Sequence, residues 1–280
     1  MRIALGQLKS CPRKDETLAG ALRAIREARR GGADLLLMPE VYMAFLDRSP
    51  GVARASVAEP LDGPFVSQLA REARAQNLYV GCGVWESAPG ERVRAYNTTI
   101  LLGPDGSLLL SYRKTHLYDA FGYRESDQIV PGDAPPRTIR TSLGTLGLLV
   151  CYELRFPELM RMLALDGAEV ILLPAAWVVG ALKEDHWDTL IRARAIENTV
   201  FIAAADQVGN IFAGCSRIVD PMGVAVAAGG ETEGLIFGDV HLDRIAAVRE
   251  KLPLLRQRRE EIYVQRSPGV RAPRVTSAPA

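Results

Sequence analysis

Glu40, Lys114 and Cys151 are the residues of this chain whose types and placement could carry covalent chemistry. Each stands at the end of an apolar run that reads as a strand: Glu40 after LLLMP, Lys114 after LLLSYR and Cys151 after GLLV. Open α/β sheets collect ligand-binding groups at the carboxyl ends of their strands. The segment around Cys151 runs from its strand through a short turn toward a helix expected from Pro157, which places the thiol at an exposed elbow near backbone N–H groups. A free thiol titrates near about 8.5 and needs a base or a positive neighbour to react at neutral pH. Glu40 and Lys114 could supply one of each, so the chemistry within reach is attack by sulfur on an electrophilic carbon. Cys11, Cys82 and Cys215 have no comparable elbow and are expected to be small buried hydrophobes.

The elements that must hold these residues follow from periodicity. Residues 2 to 8 read as a strand, and Leu18, Leu22, Ile25 and Ala28 recur at helical spacing until Gly31-Gly32. A buried strand at 35 to 38, a helix over 64 to 76 opened by Pro64, and strands near 79 to 85, 96 to 102 and 107 to 113 complete a first series. The order then recurs: strand 145 to 150, helix 157 to 166, strand 170 to 173, helix 183 to 197, strand 199 to 205, and strands around Asp220-Pro221-Met222-Gly223. A strand at 235 to 240 and a short helix near 243 to 251 follow. Two open sheets with helices on one face each bury their other faces best against one another, which predicts an α/β fold, a four-layer α-β-β-α sandwich of two mixed sheets. Residues 1–265 are expected to form one domain, and 266–280, rich in Pro, Ser and Arg, a flexible or partner-contacting tail.

Lys and Arg number 34 against 33 Asp and Glu, so no overall field points to nucleic acid or a membrane, and a small-molecule partner fits better. The opening MRIALGQLKS has too short an apolar run for a signal peptide and no later stretch approaches a membrane span, which reads as cytoplasmic. The four scattered cysteines lack the paired spacing of a zinc site or a disulfide framework. GxSxG, HExxH and GxxxxGK[ST] are absent, and Gly81-Cys82-Gly83 is read as a place of close strand packing. Asn97-Thr98-Thr99 is read as an ordinary strand segment. A Cys-His hydrolase using His116 or His186 stays open as an alternative, though both histidines are expected to brace the site or core.

With these segments on the page, the chain resembles the nitrilase (carbon-nitrogen hydrolase) superfamily over nearly its whole length: LLLMPE at Glu40, YRKTHLYD at Lys114 and VCYELRFPEL at Cys151 are similar to its Glu-Lys-Cys triad, and HWDTLIRARAIEN to a downstream helix. The branch it looks most like is that of deaminated glutathione amidase and ω-amidase. The resemblance implies a second glutamate at Glu125, homodimers or larger homo-oligomers, and no metal or organic cofactor. It implies hydrolysis of a small carboxylate-bearing amide through a thioester, with the Tyr152 backbone N–H and Lys114 holding the oxyanion. Hydrolysis of an N-carbamoyl amine or a nitrile would use the same triad, and a non-catalytic scaffold of this fold is the alternative from another class. Arg124, Arg155 and Lys183 are candidates to grip a carboxylate, with Arg155 favoured instead as an internal ion pair near Glu158. Trp177 is a candidate wall of the acyl pocket. Glu153 stands where other members often have Asp or Ser, a departure expected to leave catalysis intact and to alter the pocket rim.

Overall fold

In the computed structural model, which describes residues 1–46 and 52–264, alternation along the first strands sorts side chains between two cores. β1 (Arg2–Gln7) and β2 (Leu35–Leu37) pair in parallel. Ile3, Leu5, Leu35 and Leu37 point to one face, where they share a core with Leu148, Leu172 and Ile218 from the second half of the chain. Ala4 and Leu36 point to the other face, against α1 (Lys14–Arg30) and α2 (Pro64–Gln76). A period of two produces this partition, and each Leu buried completely contributes roughly 2 kcal/mol. On α1 the buried stripe is Ala21, Ala24, Ile25 and Ala28, while Leu18 and Leu22 are only partly covered. Small residues there let the helix lie close to the sheet.

β3 (Tyr79–Glu86), β4 (Tyr96–Leu102) and β5 (Leu108–Arg113) extend the first sheet, β3 parallel to β2 and the next two antiparallel. A small hairpin, β6 (Asp119–Ala120) with β7 (Tyr123–Arg124), leads to β8 (Thr138–Thr141) and β9 (Gly144–Leu148). Then come α3 (Pro157–Leu165), β10 (Val170–Ala175), α4 (Lys183–Asn198) and β11 (Phe201–Asp206), with β9, β10 and β11 mutually parallel. A second hairpin, β12 (Val208–Gly209) with β13 (Phe212–Ala213), precedes β14 (Arg217–Val219) and β15 (Ala225–Ala228). β16 (Gly234–Asp239) crosses back to pair antiparallel with β1, and α5 (Asp243–Lys251) and α6 (Glu260–Val264) follow.

The sheet orders are β16-β1-β2-β3-β4-β5 and β15-β14-β11-β10-β9-β8. The inner faces pack against one another, and α3 and α4 cover the outer face of the second sheet with Met160, Leu163, Trp187 and Ile191. This is the four-layer α-β-β-α sandwich of two mixed sheets that the pattern predicts. No helix among the described residues is long and apolar enough to cross a membrane. The expected tail at 266–280 lies outside the described residues.

Candidate active site

β2 ends at Leu37, and the chain turns sharply past Glu40: Val41 takes φ +42°, a conformation β-branched residues avoid. Gly83 of β3 makes room for the turn, because a Cβ there would lie within 2.5 Å of the Glu40 Cα. The close packing expected of Gly81-Cys82-Gly83 is therefore packing against Glu40. Cys151 also has φ +42° and opens a 3₁₀ turn, Cys151–Arg155, ahead of α3. The elbow is present, but it is not exposed. Cys151 is 7% accessible and lies at the floor of a cleft.

The three strand exits converge with Glu125. Glu40 accepts through Oε1 from the Lys114 ammonium at 2.9 Å and the Asn97 side-chain amide at 2.7 Å, and through Oε2 from the Ala176 N–H at 2.7 Å. The Cys151 thiol faces the same cleft, close enough to Glu40 to act on its ionisation. Lys114, 2% accessible, also donates to Glu125 at 2.9 Å, and Glu125 in turn accepts from the Tyr118 N–H. Glu125 sits in a 3₁₀ turn, Glu125–Asp127, directly after β7.

Burial alone would push the Glu40 carboxyl up. The Lys114 charge, with hydrogen bonds from Lys114 and Asn97 and the Cys151 thiol nearby, outweighs it and holds Glu40 below its ordinary value. Burial likewise opposes the charge on Lys114, but Glu125 and Glu40 beside it hold the ammonium well above its ordinary value. For Cys151, burial and then the Glu40 charge push the thiol up, and Lys114 offsets only part of this. The resting site at neutral pH is thus a protonated thiol facing an ionised carboxylate, with a fixed ammonium beside both. That is the charge state a general base requires, and it differs from a preformed thiolate.

The cleft encloses about 740 Å³ including the open solvent at its mouth, a size suited to a small molecule. Glu40, Lys114, Glu125 and Cys151 line it, as do Tyr152, Trp177, Arg155 and Lys183. Trp177 faces the cleft and packs on Trp187 with ring centroids 5.1 Å apart. Lys183, at the start of α4, reaches across to the Tyr118 hydroxyl at 2.7 Å.

Two arginine assignments change. Arg124 is turned away from the cleft, its side chain 70% accessible and paired with Asp127. Arg155 does not form the ion pair expected with Glu158. Among the described residues it has no ion pair; its guanidinium lies 4.8 Å from the centroid of the Trp177 ring in the cleft wall, with Nη2 buried and unpartnered. Other positions also differ from expectation. Glu153 is not at the rim but fully buried, and only Cys82 of the remaining cysteines is buried, Cys11 and Cys215 being intermediate. His116 bonds to the Thr115 hydroxyl and packs on Phe156, and neither it nor His186 lines the cleft.

Sequence reasoning missed Asn97, which lies within the triplet read as plain strand, and the groups that fix Glu40 to the second half: the Ala175 carbonyl, the Ala176 N–H and Gln207, whose amide donates to the Glu40 carbonyl at 2.8 Å. A polar side chain on an inward strand position is the one signal that could have marked Asn97. Asp206, at the end of β11, accepts from the Trp177 N–H at 2.7 Å, and burial pushes its carboxyl well up. Among the described residues no group of three or more His, Cys, Asp or Glu converges as metal ligands would.

A family model described as carbon-nitrogen hydrolase matches residues 2–250. Over 262 residues the chain is 38% identical to the deaminated glutathione amidase of Escherichia coli O157:H7, spanning 92% of this chain and 97% of that protein. It is 33% identical over 279 residues to the omega-amidase NIT2 of Mus musculus, spanning 95% and 98% respectively. Among solved structures, a variant of the amidase from Nesterenkonia sp. AN1 superposes with a TM-score of 0.80 at 29% identity, covering 95% of this chain and 97% of that one. In that structure the acetamide moiety of fluoroacetamide is covalently added at the active-site cysteine.

Proposed function

This chain belongs to the carbon-nitrogen hydrolase family, and on that footing we propose that it cleaves a small carboxylate-bearing amide to a carboxylate and ammonia through a thioester on Cys151. The observation that carries this reading is the Cys151 thiol sharing the cleft with a Glu40 carboxylate that Lys114 keeps ionised. Glu40 takes the thiol proton as sulfur bonds to the amide carbon, and the carbonyl electrons move onto oxygen. Two carboxylates engage the Lys114 ammonium, leaving one of its three donors for that oxyanion together with the Tyr152 backbone N–H. Glu40 returns the proton to nitrogen, the C–N bond breaks and ammonia leaves. Water, deprotonated by Glu40, then breaks the thioester and restores the thiol. Glu125 touches Lys114 rather than sulfur, so its part is to orient the ammonium.

The substrate carboxylate is assigned to Arg155 and Lys183, whose charges lie 4.8 and 5.8 Å from the centroid of the Trp177 ring in the cleft wall. A buried guanidinium nitrogen without a partner favours an anion, and a planar fork suits a carboxylate. The deaminated glutathione amidase and omega-amidase names of the relatives agree with such a substrate. Ammonia release should therefore be seen with 2-oxoglutaramate or deaminated glutathione, and be weak with an N-carbamoyl amine, a simple nitrile or a neutral amide. Arg155→Met is expected to lower kcat/KM for the carboxylate-bearing amide by about 10- to 100-fold, the scale of a lost charge-assisted hydrogen bond, and to change neutral-amide turnover little. Equal losses on both substrates would remove Arg155 from substrate recognition, and silence across the whole panel would remove the amidase reading.

The same reading places the enzyme in the cytoplasm, which suits its four free cysteines, and in a homodimer or larger homo-oligomer, supported by exposed Met162, Leu165 and Ile196 on α3 and α4. Light scattering of the purified chain checks the assembly.

A further inference from the structure

Glu153 has no part in the reaction above, yet it is a carboxylate at 0% accessibility with five donors aimed at it. Oε1 accepts from the Tyr112 hydroxyl, the Thr115 N–H and the Thr115 hydroxyl, each at 2.8 Å, and from the His116 N–H at 3.3 Å. Oε2 accepts from the Val150 N–H at 3.0 Å. Burial, and then the Glu153 charge, push the Tyr112 phenol up, so it stays a donor. The donors come from two places only. Tyr112, Thr115 and His116 bracket Lys114 at the exit of β5, and Val150 immediately precedes Cys151 after β9.

Burying a carboxylate costs several kcal/mol in lost hydration, and an apolar side chain of similar volume would avoid that cost. A structural filler therefore does not need this charge. The need becomes clear from how the other catalytic arm is held. Glu40 is fixed to the half of the chain that carries Cys151 by three bonds of its own: its N–H to the Ala175 carbonyl, its Oε2 from the Ala176 N–H, and its carbonyl from Gln207. Lys114 has backbone bonds only to Asn97 and Gly132, neither of which belongs to the Cys151 elbow.

We propose that Glu153 is a positioning residue for the hydrolysis, fixing the Lys114 ammonium relative to the Cys151 sulfur by holding both strand exits on one carboxylate. The proposal rests on the reading of Lys114 as the oxyanion donor. Two sheets that meet mainly through apolar faces can slide by fractions of an ångström, and hydrogen bonds to a single buried anion remove that freedom. Glutamine at 153 keeps the size but offers one acceptor oxygen where the carboxylate offers two, and its amino group would face donors. One of the two strand exits then loses its acceptor, and the link between them is broken.

The test compares the full-length wild type with Glu153→Gln and Glu153→Asp, using the amide that wild type turns over best and, separately, alkylation of Cys151 by iodoacetamide. Alkylation displaces iodide without forming an oxyanion, so it reports the Glu40–Cys151 pair alone. Glu153→Gln is expected to lower kcat by about 100-fold, the scale of a misplacement of about 1 Å, with KM and the alkylation rate close to wild type. Glu153→Asp, which returns a charged acceptor at shorter reach, should recover part of the lost kcat. Wild-type kcat in Glu153→Gln overturns the proposal, and so do parallel losses of kcat and alkylation, which would mean a general loosening. Should Glu153→Gln fail to fold, Tyr112→Phe removes one donor from the same oxygen. It is expected to lower kcat about fivefold at unchanged KM, and an unchanged kcat there overturns the proposal. A wild type that neither alkylates at Cys151 nor hydrolyses any amide would instead overturn the proposed function.

Discussion

Replacing Cys151 by alanine is expected to take ammonia release down to the uncatalysed background, a loss on the order of 10⁴-fold or more, with the fold intact. Among the described residues Cys151 is the only cysteine lining the cleft, so no other thiol can stand in. Cys82 lies in the helix-facing core, where burial pushes its thiol far up, and Cys11 and Cys215 do not line the cleft. Removing one sulfur from a site already open to the cleft leaves little new cavity, so unfolding should change only slightly. Mass spectrometry after a haloacetamide gives the parallel reading: one adduct on Cys151 in wild type and none there in Cys151→Ala. Because the resting site pairs a protonated thiol with ionised Glu40, Glu40→Gln should slow that labelling as well as turnover. A preformed thiolate would label equally fast in both. Residual, saturable ammonia release by Cys151→Ala would sink the thioester mechanism.

What the sequence disclosed about this site and what it concealed divide along one line. Glu40, Lys114 and Cys151 were legible because each follows an apolar run, and a strand's exit is local information. The sandwich was legible for the same reason, since period-two and period-3.6 segments alternate in two similar series. The partners of those residues were not. Asn97 meets Glu40 across β3 and β4, Ala176 and Gln207 reach it from the second sheet, and β16 returns to pair with β1, all through contacts far apart in the chain. The paired two-residue strands β6/β7 and β12/β13 are too short to carry a period at all. Arg124 and Arg155 show the same limit. Glu158 lies close enough to Arg155 in sequence to suggest an ion pair, yet the guanidinium turns to the Trp177 ring, and Arg124 finds Asp127 instead of the cleft. Glu153 is the sharpest case, because nothing local distinguishes a carboxylate at a rim from one with five donors waiting inside.

Lys114→Met is expected to cause the largest loss of stability of the substitutions considered, about 3–5 kcal/mol, the usual effect of removing one partner from a buried ionic group. Lys114 pairs with two carboxylates at once, Glu40 at 2.9 Å and Glu125 at 2.9 Å, in a place with almost no access to water. Activity should fall with it, since the oxyanion loses its charged donor. The pH dependence of unfolding tells this apart from simple loss of packing. In wild type, Glu40 is held below its ordinary value of 4.5, so its contribution is present above that value and is lost as pH falls through the folded one. Lys114 is held above 10.5, so its contribution is present below that value and is lost as pH rises past it. Between these limits, from about pH 6 to 9, the pair should leave wild-type stability nearly level. In Lys114→Met the cation is gone, and the Asn97 amide and Cys151 thiol are uncharged. Burial, the largest influence on Glu40, then raises the carboxyl above its unfolded value. A raised carboxyl favours folding below the unfolded value and loses that advantage as pH rises through the folded one. The variant should therefore be more stable near pH 5 than near pH 8, measured as the denaturant midpoint at each pH. A variant whose midpoint stays as level as that of wild type would show that Glu40 does not depend on Lys114 for its charge, and the general-base assignment would lose its physical basis.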